Sequence, residues 1–159
     1  MTKIFLAIAI FATGLTQTSF AQDNTNSSQL PQLLALYYNI KDALVAGNAN
    51  VAAAKAEVFV KATTGTNAKG LTESNIKTLA KTAQMIAGSK DLKKQREHFS
   101  DLSNEMITVA KTTKFGDKPV YQAYCPMKKA SWLSDQKAIK NPYYGSSMLT
   151  CGEVTATFQ

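Results

Sequence analysis

Four stretches of apolar residues at helical spacing, each closed by a glycine, restrict this 159-residue chain to a mainly α fold. Leu33, Tyr37, Ile40 and Leu44 recur at the period of one helix face, with Pro31 acceptable in a first turn and Gly47 as a stop. The first helix is expected over about 31–46. Asn48 can cap a second, alanine-rich helix of about 49–63, with Val51, Ala54, Val58 and Ala62 on one stripe before Gly65. Thr72 and Glu73 suit the start of a third, whose buried stripe would be Ile76, Leu79, Ala83 and Ile86 before Gly88. Ser89 and Asp91 open the longest, about 90–112, carrying Leu92, Phe99, Leu102, Met106 and Val109. Short connections between amphipathic helices predict an up-and-down four-helix bundle over residues 30–116. No repeat of solenoid length is visible.

Beyond Gly116 the pattern changes. PVYQAY alternates as a strand does, NPYYGSS is turn chemistry, and MLTCGEVTATF becomes β-branched towards its end. Residues 117–159 are therefore expected to form a tail with two short extended segments, packed on the bundle as part of the same domain.

The N-terminus sets the compartment in which the rest is read. MTKIFLAIAIFATGLTQTSFA has one lysine, an uninterrupted apolar run from Ile4 to Ala12, and Ser19 and Ala21 at small-residue cleavage positions. This is the pattern of a secretory signal peptide, 1–21, cleaved after Ala21. The apolar run is too short to span a bilayer, so no membrane insertion is expected after its removal. QDNTNSSQ, 22–29, reads as a flexible leader. An exported, periplasmic protein is expected, in a compartment where disulfides form.

The formal net charge of +7 raises nucleic acid as a partner. The lysines, however, are spread over every helix, Arg96 is the single arginine, and no aromatic residues interleave with them. A solvated basic exterior explains this better than a nucleic-acid surface, which concentrates arginine and aromatics on one element.

Both cysteines lie in the tail, Cys125 and Cys151, each beside a methionine, Met127 and Met148. Two cysteines in an exported chain are ordinarily a disulfide. Cys125-Pro126-Met127, however, puts a thiolate and a thioether on one side of an extended segment, and Met148 and Cys151 repeat the pairing across a turn. Thiolate and thioether are the soft ligands that select Cu(I), with imidazole an acceptable further partner. His98, the only histidine, lies one step around the fourth helix from the apolar Phe99 and joins the set if the tail folds back onto that helix. A boundary histidine with a satisfied hydrogen bond is its plain alternative. Met106, two turns further on, ranks lower as a ligand, and Trp132 reads as core.

The run Cys125-Pro126-Met127, Trp132-Leu133-Ser134, Ile139-Lys140-Asn141-Pro142-Tyr143-Tyr144-Gly145 and Met148-Leu149-x-Cys151-Gly152, preceded by His98-Phe99-x-x-Leu102-Ser103, resembles domain of unknown function 3347. Proteins of that family are exported bacterial chains, found alone and joined to copper/silver efflux adaptors of the CusB-like membrane fusion class. The resemblance implies a helical bundle, a link to heavy-metal handling, and His98, Cys125, Met127, Met148 and Cys151 as the matching soft and polar positions.

The expectation is thus a monomeric periplasmic carrier or buffer of Cu(I), with Ag(I) as a second ion, serving an efflux adaptor or another envelope protein, without an organic cofactor. The alternative is a metal-free interaction module stapled by a Cys125–Cys151 disulfide. With one histidine and no visible triad, no enzyme is expected.

Overall fold

The computed structural model describes residues 25–159, and of Thr25 to Ser28 the backbone only. The expected signal peptide and the first residues of the leader lie outside the described residues. Four helices, α1 (Thr25–Val45), α2 (Ala49–Thr64), α3 (Glu73–Ala87) and α4 (Leu92–Thr112), precede three strands, β1 (Val120–Cys125), β2 (Ala130–Ser134) and β3 (Glu153–Phe158). A 3₁₀ turn, Gly145–Met148, lies between β2 and β3. The molecule is mainly α, a bundle with an antiparallel sheet packed on it.

The helix ends follow the capping chemistry. Asn48 accepts a hydrogen bond from Val51 N at 3.0 Å, and Thr72 exchanges bonds with Asn75 in a capping box. Asp91 accepts from the backbone of Lys93 and Lys94. The α1 stripe of Leu33, Tyr37, Ile40 and Leu44 is buried as expected, and so are Phe99, Leu102, Met106 and Val109 of α4.

Three expectations need correction. Helix α1 begins at Thr25, so residues 25–29 of the expected leader are helical and Pro31 lies inside the helix. Gln29 holds that end in place, its Oε1 accepting from Thr66 Oγ1 at 3.0 Å and Asn67 N at 3.1 Å, beside buried Leu30. In α2 the buried stripe is Ala52, Ala56, Phe59 and Thr63, which leaves Val51 and Val58 exposed. The large Phe59 ring sets the rotation of this alanine-rich helix, because burying it gains more than burying either valine. Finally, the tail contains three strands. The sheet order is β2-β1-β3, with β1 antiparallel to both neighbours and a bulge between Gln122 and Ala123 facing β3. β2 follows β1 through a tight turn in which Lys129 N donates to Cys125 O at 2.8 Å and Lys129 takes a φ of 56°. A lysine in that left-handed position hides the hairpin, which asparagine or glycine would announce.

Each helix packs chiefly on its neighbours in sequence, and α1 and α4 meet along a narrow seam. The sheet docks there through β2. Tyr37, fully buried in α1, stacks on Phe99 of α4 with ring centroids 5.1 Å apart. Its hydroxyl shares a 2.7 Å hydrogen bond with Ser103 Oγ of α4 and accepts one of 3.1 Å from Leu133 N of β2. One oxygen therefore ties α1, α4 and the sheet together. Nearby, Lys41 is buried, with its Nζ 3.2 Å from Asp42, 3.6 Å from Asp135 and over the Tyr38 ring, so this lysine is an exception to the solvated exterior.

Candidate metal centre

Register explains how two cysteines 26 positions apart meet. Cys125 pairs with Ala130 and Ala123 with Trp132, so Cys125, Ala123, Ala130 and Trp132 share one face of the sheet. Adjacent Leu133 faces the other way, and both Trp132 and Leu133 are buried, so both faces of β2 are covered. The chain after β2 covers the Trp132 side. Tyr143 packs edge-on against Trp132 at 5.9 Å and donates its hydroxyl proton to Ser131 O at 2.5 Å.

Asn141, fully buried, organises that covering segment. Its Oδ1 accepts from Tyr143 N at 2.8 Å, its Nδ2 donates to Cys151 O at 2.7 Å, and its backbone N donates to Leu149 O at 2.8 Å. Gly152 lets the returning chain approach the sheet. Its φ is 143°, and a Cβ there would lie 2.9 Å from Trp132 Cη2 and from Tyr124 O. The result is a Cys125 Sγ to Cys151 Sγ separation of 3.1 Å.

The two thiols are electrostatically unequal. Burial, the largest single influence on Cys125, pushes its thiol up, but hydrogen bonds outweigh it. The Cys151 thiol, the Lys128 backbone, the Asn141 side chain and the Met127 backbone together hold Cys125 below the ordinary thiol range. Cys151 is pushed up, first by its hydrogen bond with Cys125, then by desolvation and by the charge that Cys125 carries when ionised. The first proton lost from the pair therefore leaves a thiolate centred on Cys125.

Met127 is 63% exposed and Met148 39% exposed, each within three residues of a thiol, and Cys151 N donates to Met148 O at 3.1 Å. Met106 is fully buried in the bundle core and Trp132 in the core that joins bundle and tail. His98 is half-buried on α4. The tail meets that helix through Phe99, whose ring lies 6.0 Å from that of Tyr143, on the side of α4 that also carries Ser100 and Ser103. His98 stands two residues from Ser100, about 200° around the helix axis. It shares the flank of Glu105, which accepts from Asn75 of α3 at 2.8 Å. The fold brings the two cysteines together, with the methionines next to them along the chain, and leaves the histidine on another side of α4.

Among the described residues no three His, Cys, Asp or Glu side chains gather to hold a metal ion. An ion at the dithiol would take further ligands from methionine sulfur or from outside the chain. Asn141 is the participant that sequence reading missed. Besides its place in the resembling run, its signal is its position before Pro142 in a turn segment, where asparagine commonly bonds the backbone two residues on. No described helix is long and apolar enough to cross a membrane.

A family model described as "Protein of unknown function (DUF3347)" matches residues 33–118. No curated protein and no solved structure matches the chain.

Proposed function

Because the chain belongs to the DUF3347 family, we propose that it is an exported copper-binding protein of the periplasm. In this reading it is a carrier or buffer that receives Cu(I), with Ag(I) as a second ion, and passes it to an efflux adaptor or another envelope protein. The observation that carries the proposal is the 3.1 Å approach of Cys125 and Cys151 sulfurs, with Cys125 predisposed to ionise and an exposed methionine within three residues of each cysteine. A donor set of sulfur alone suits a soft ion of low coordination number, whereas calcium and magnesium take oxygen ligands. Copper is the cargo here. Cys125 and Cys151 supply charge as well as softness, Met127 and Met148 softness alone, and His98, on another side of α4, is left out of the proposed ligand set.

The same sulfur contact, with Cys125 fully buried, favours a second reading, a metal-free interaction module in which the two cysteines form a disulfide. Competition of the reduced protein with a chromophoric chelator for Cu(I), and alkylation of the native protein before reduction, separate the two. Cys125→Ser and Cys151→Ser are each expected to lose tight Cu(I) binding while keeping helix content. Met127→Leu and Met148→Leu should weaken it less, and His98→Ala should leave it unchanged. Wild-type Cu(I) affinity in the double serine variant overturns the metal reading, and thiols that resist alkylation until reduced establish the disulfide.

A further inference from the structure

An open cavity of about 500 Å³ lies between the first turns of α4 and the segment that covers the sheet. Its size is within the range of small-molecule sites. Lys93, Arg96 and Lys128 line it with a single carboxylate, Glu97, and Tyr143 and Tyr144 form its aromatic wall. Among the described residues, none of these four charged side chains belongs to an ion pair.

Arg96 is the most constrained of them. Its Nη2 donates to Leu44 O at the end of α1 at 3.0 Å, while its Nε is buried with no protein acceptor. Desolvation lowers its proton affinity, yet a guanidinium remains charged at any ordinary pH. The fold also makes room for it. A Cβ on Gly145, where φ is 57°, would lie 2.6 Å from Arg96 Nη2. A cation fixed in place and left without a counter-charge beside an open cavity is suited to receive an anion.

We propose that this cavity binds a small oxyanion, a molecule presenting a carboxylate or a phosphate group. Arg96 is the principal recognition group, Lys93 and Lys128 are flanking charges, and the two tyrosines are walls. The lysine pair after Met127, which as sequence crowds the cysteines with positive charge, thus sends one member to a site of its own. The proposal does not rest on metal binding.

The test is calorimetric titration of the full chain with citrate and, separately, inorganic phosphate at constant ionic strength. Saturable one-site binding of either probe is expected, and the tighter probe identifies the class. The Lys93→Gln, Lys128→Gln double variant should bind at least about tenfold more weakly, since charge-assisted hydrogen bonds are lost. Lys90→Gln, Lys94→Gln removes the same charge from exposed positions outside the cavity and should change affinity less than about twofold. Glu97→Gln should tighten binding, and Arg96→Lys, which keeps the charge but loses the planar fork, should weaken it. No saturation by either probe up to about 10 mM, or equal losses in the two double-lysine variants, overturns the proposal.

Discussion

Replacing Tyr37 with phenylalanine should destabilise the protein far more than one hydroxyl ordinarily does. The ring is fully buried and stacked on Phe99 at 5.1 Å, and phenylalanine preserves that contact, so the loss falls on the oxygen alone. Two hydrogen bonds disappear, to Ser103 Oγ and from Leu133 N. The serine can turn back to a carbonyl of its own helix. The Leu133 amide is buried where the sheet meets α1 and cannot. A net hydrogen bond contributes roughly 1 kcal/mol and an orphaned buried donor costs about 1–3 kcal/mol, so Tyr37→Phe should lose about 2–4 kcal/mol. With a urea slope near 2 kcal/mol/M the unfolding midpoint should fall by about 1–2 M at unchanged slope. Tyr38→Phe provides the contrast within one residue. The Tyr38 hydroxyl is buried with no protein partner, and its ring lies under Lys41, a contact phenylalanine retains, so this variant should be neutral or more stable. A Tyr37→Phe midpoint within about 0.3 M of wild type, or a loss in Tyr38→Phe as large as in Tyr37→Phe, would refute the assignment of that hydroxyl as the joint between helices and sheet.

The remaining predictions concern the covering segment and the thiols. In the reduced protein, thiolate absorbance should rise in two steps, one below and one above the ordinary thiol value of 9.0. Because the Cys125 value is depressed on folding, its ionisation contributes stability above the unfolded thiol value that is lost as pH falls through the folded one. Cys151, raised on folding, contributes below the unfolded value and loses that contribution as pH climbs through its own folded value. A single step at the ordinary thiol value would sink this account. Asn141→Ala should bring the lower step up towards normal and cost about 2–4 kcal/mol, since Tyr143 N and Cys151 O lose their partner in a buried place. Gly152→Ala should be at least as damaging, read by the same urea midpoint, because its Cβ meets Trp132 and the Tyr124 carbonyl at 2.9 Å in a left-handed backbone conformation.

The legibility of this sequence varies with how strongly each residue type commits to its place. The stripes of α1 and α4 are readable because Leu, Ile, Tyr and Phe dominate one face. In α2 the alanines fit either face and only Phe59 decides, so an alanine-and-valine stripe points the wrong way. β2 is hidden because its hairpin turn uses Lys129 instead of a residue that prefers left-handed backbone. The meeting of the cysteines was legible in outline, since both chemical readings require it. What separates them from His98 is a rotation about α4, fixed by where Tyr143 lands, and no local pattern reports that. The anion cavity draws Lys93 and Arg96 from one helix, Lys128 from a turn and two tyrosines from a loop, an assembly visible only in three dimensions.

The seam between α1 and α4 bears on where this domain ends. The matched family segment stops at residue 118, two residues before β1, and suggests a helical unit that could stand alone. Yet Trp132, Leu133 and Tyr143 belong to the same continuous core as Tyr37, Ile40 and Phe99. A chain cut at 118 would expose that seam to water and leave Ser103 and the Tyr37 hydroxyl without β2. In the intact chain, amide protons of α1, α4 and β2 along the seam should therefore exchange with solvent together, as one cooperative unit. The core that the helices need continues at least to Tyr143, and a grafted or transplanted copy would have to carry that stretch with it.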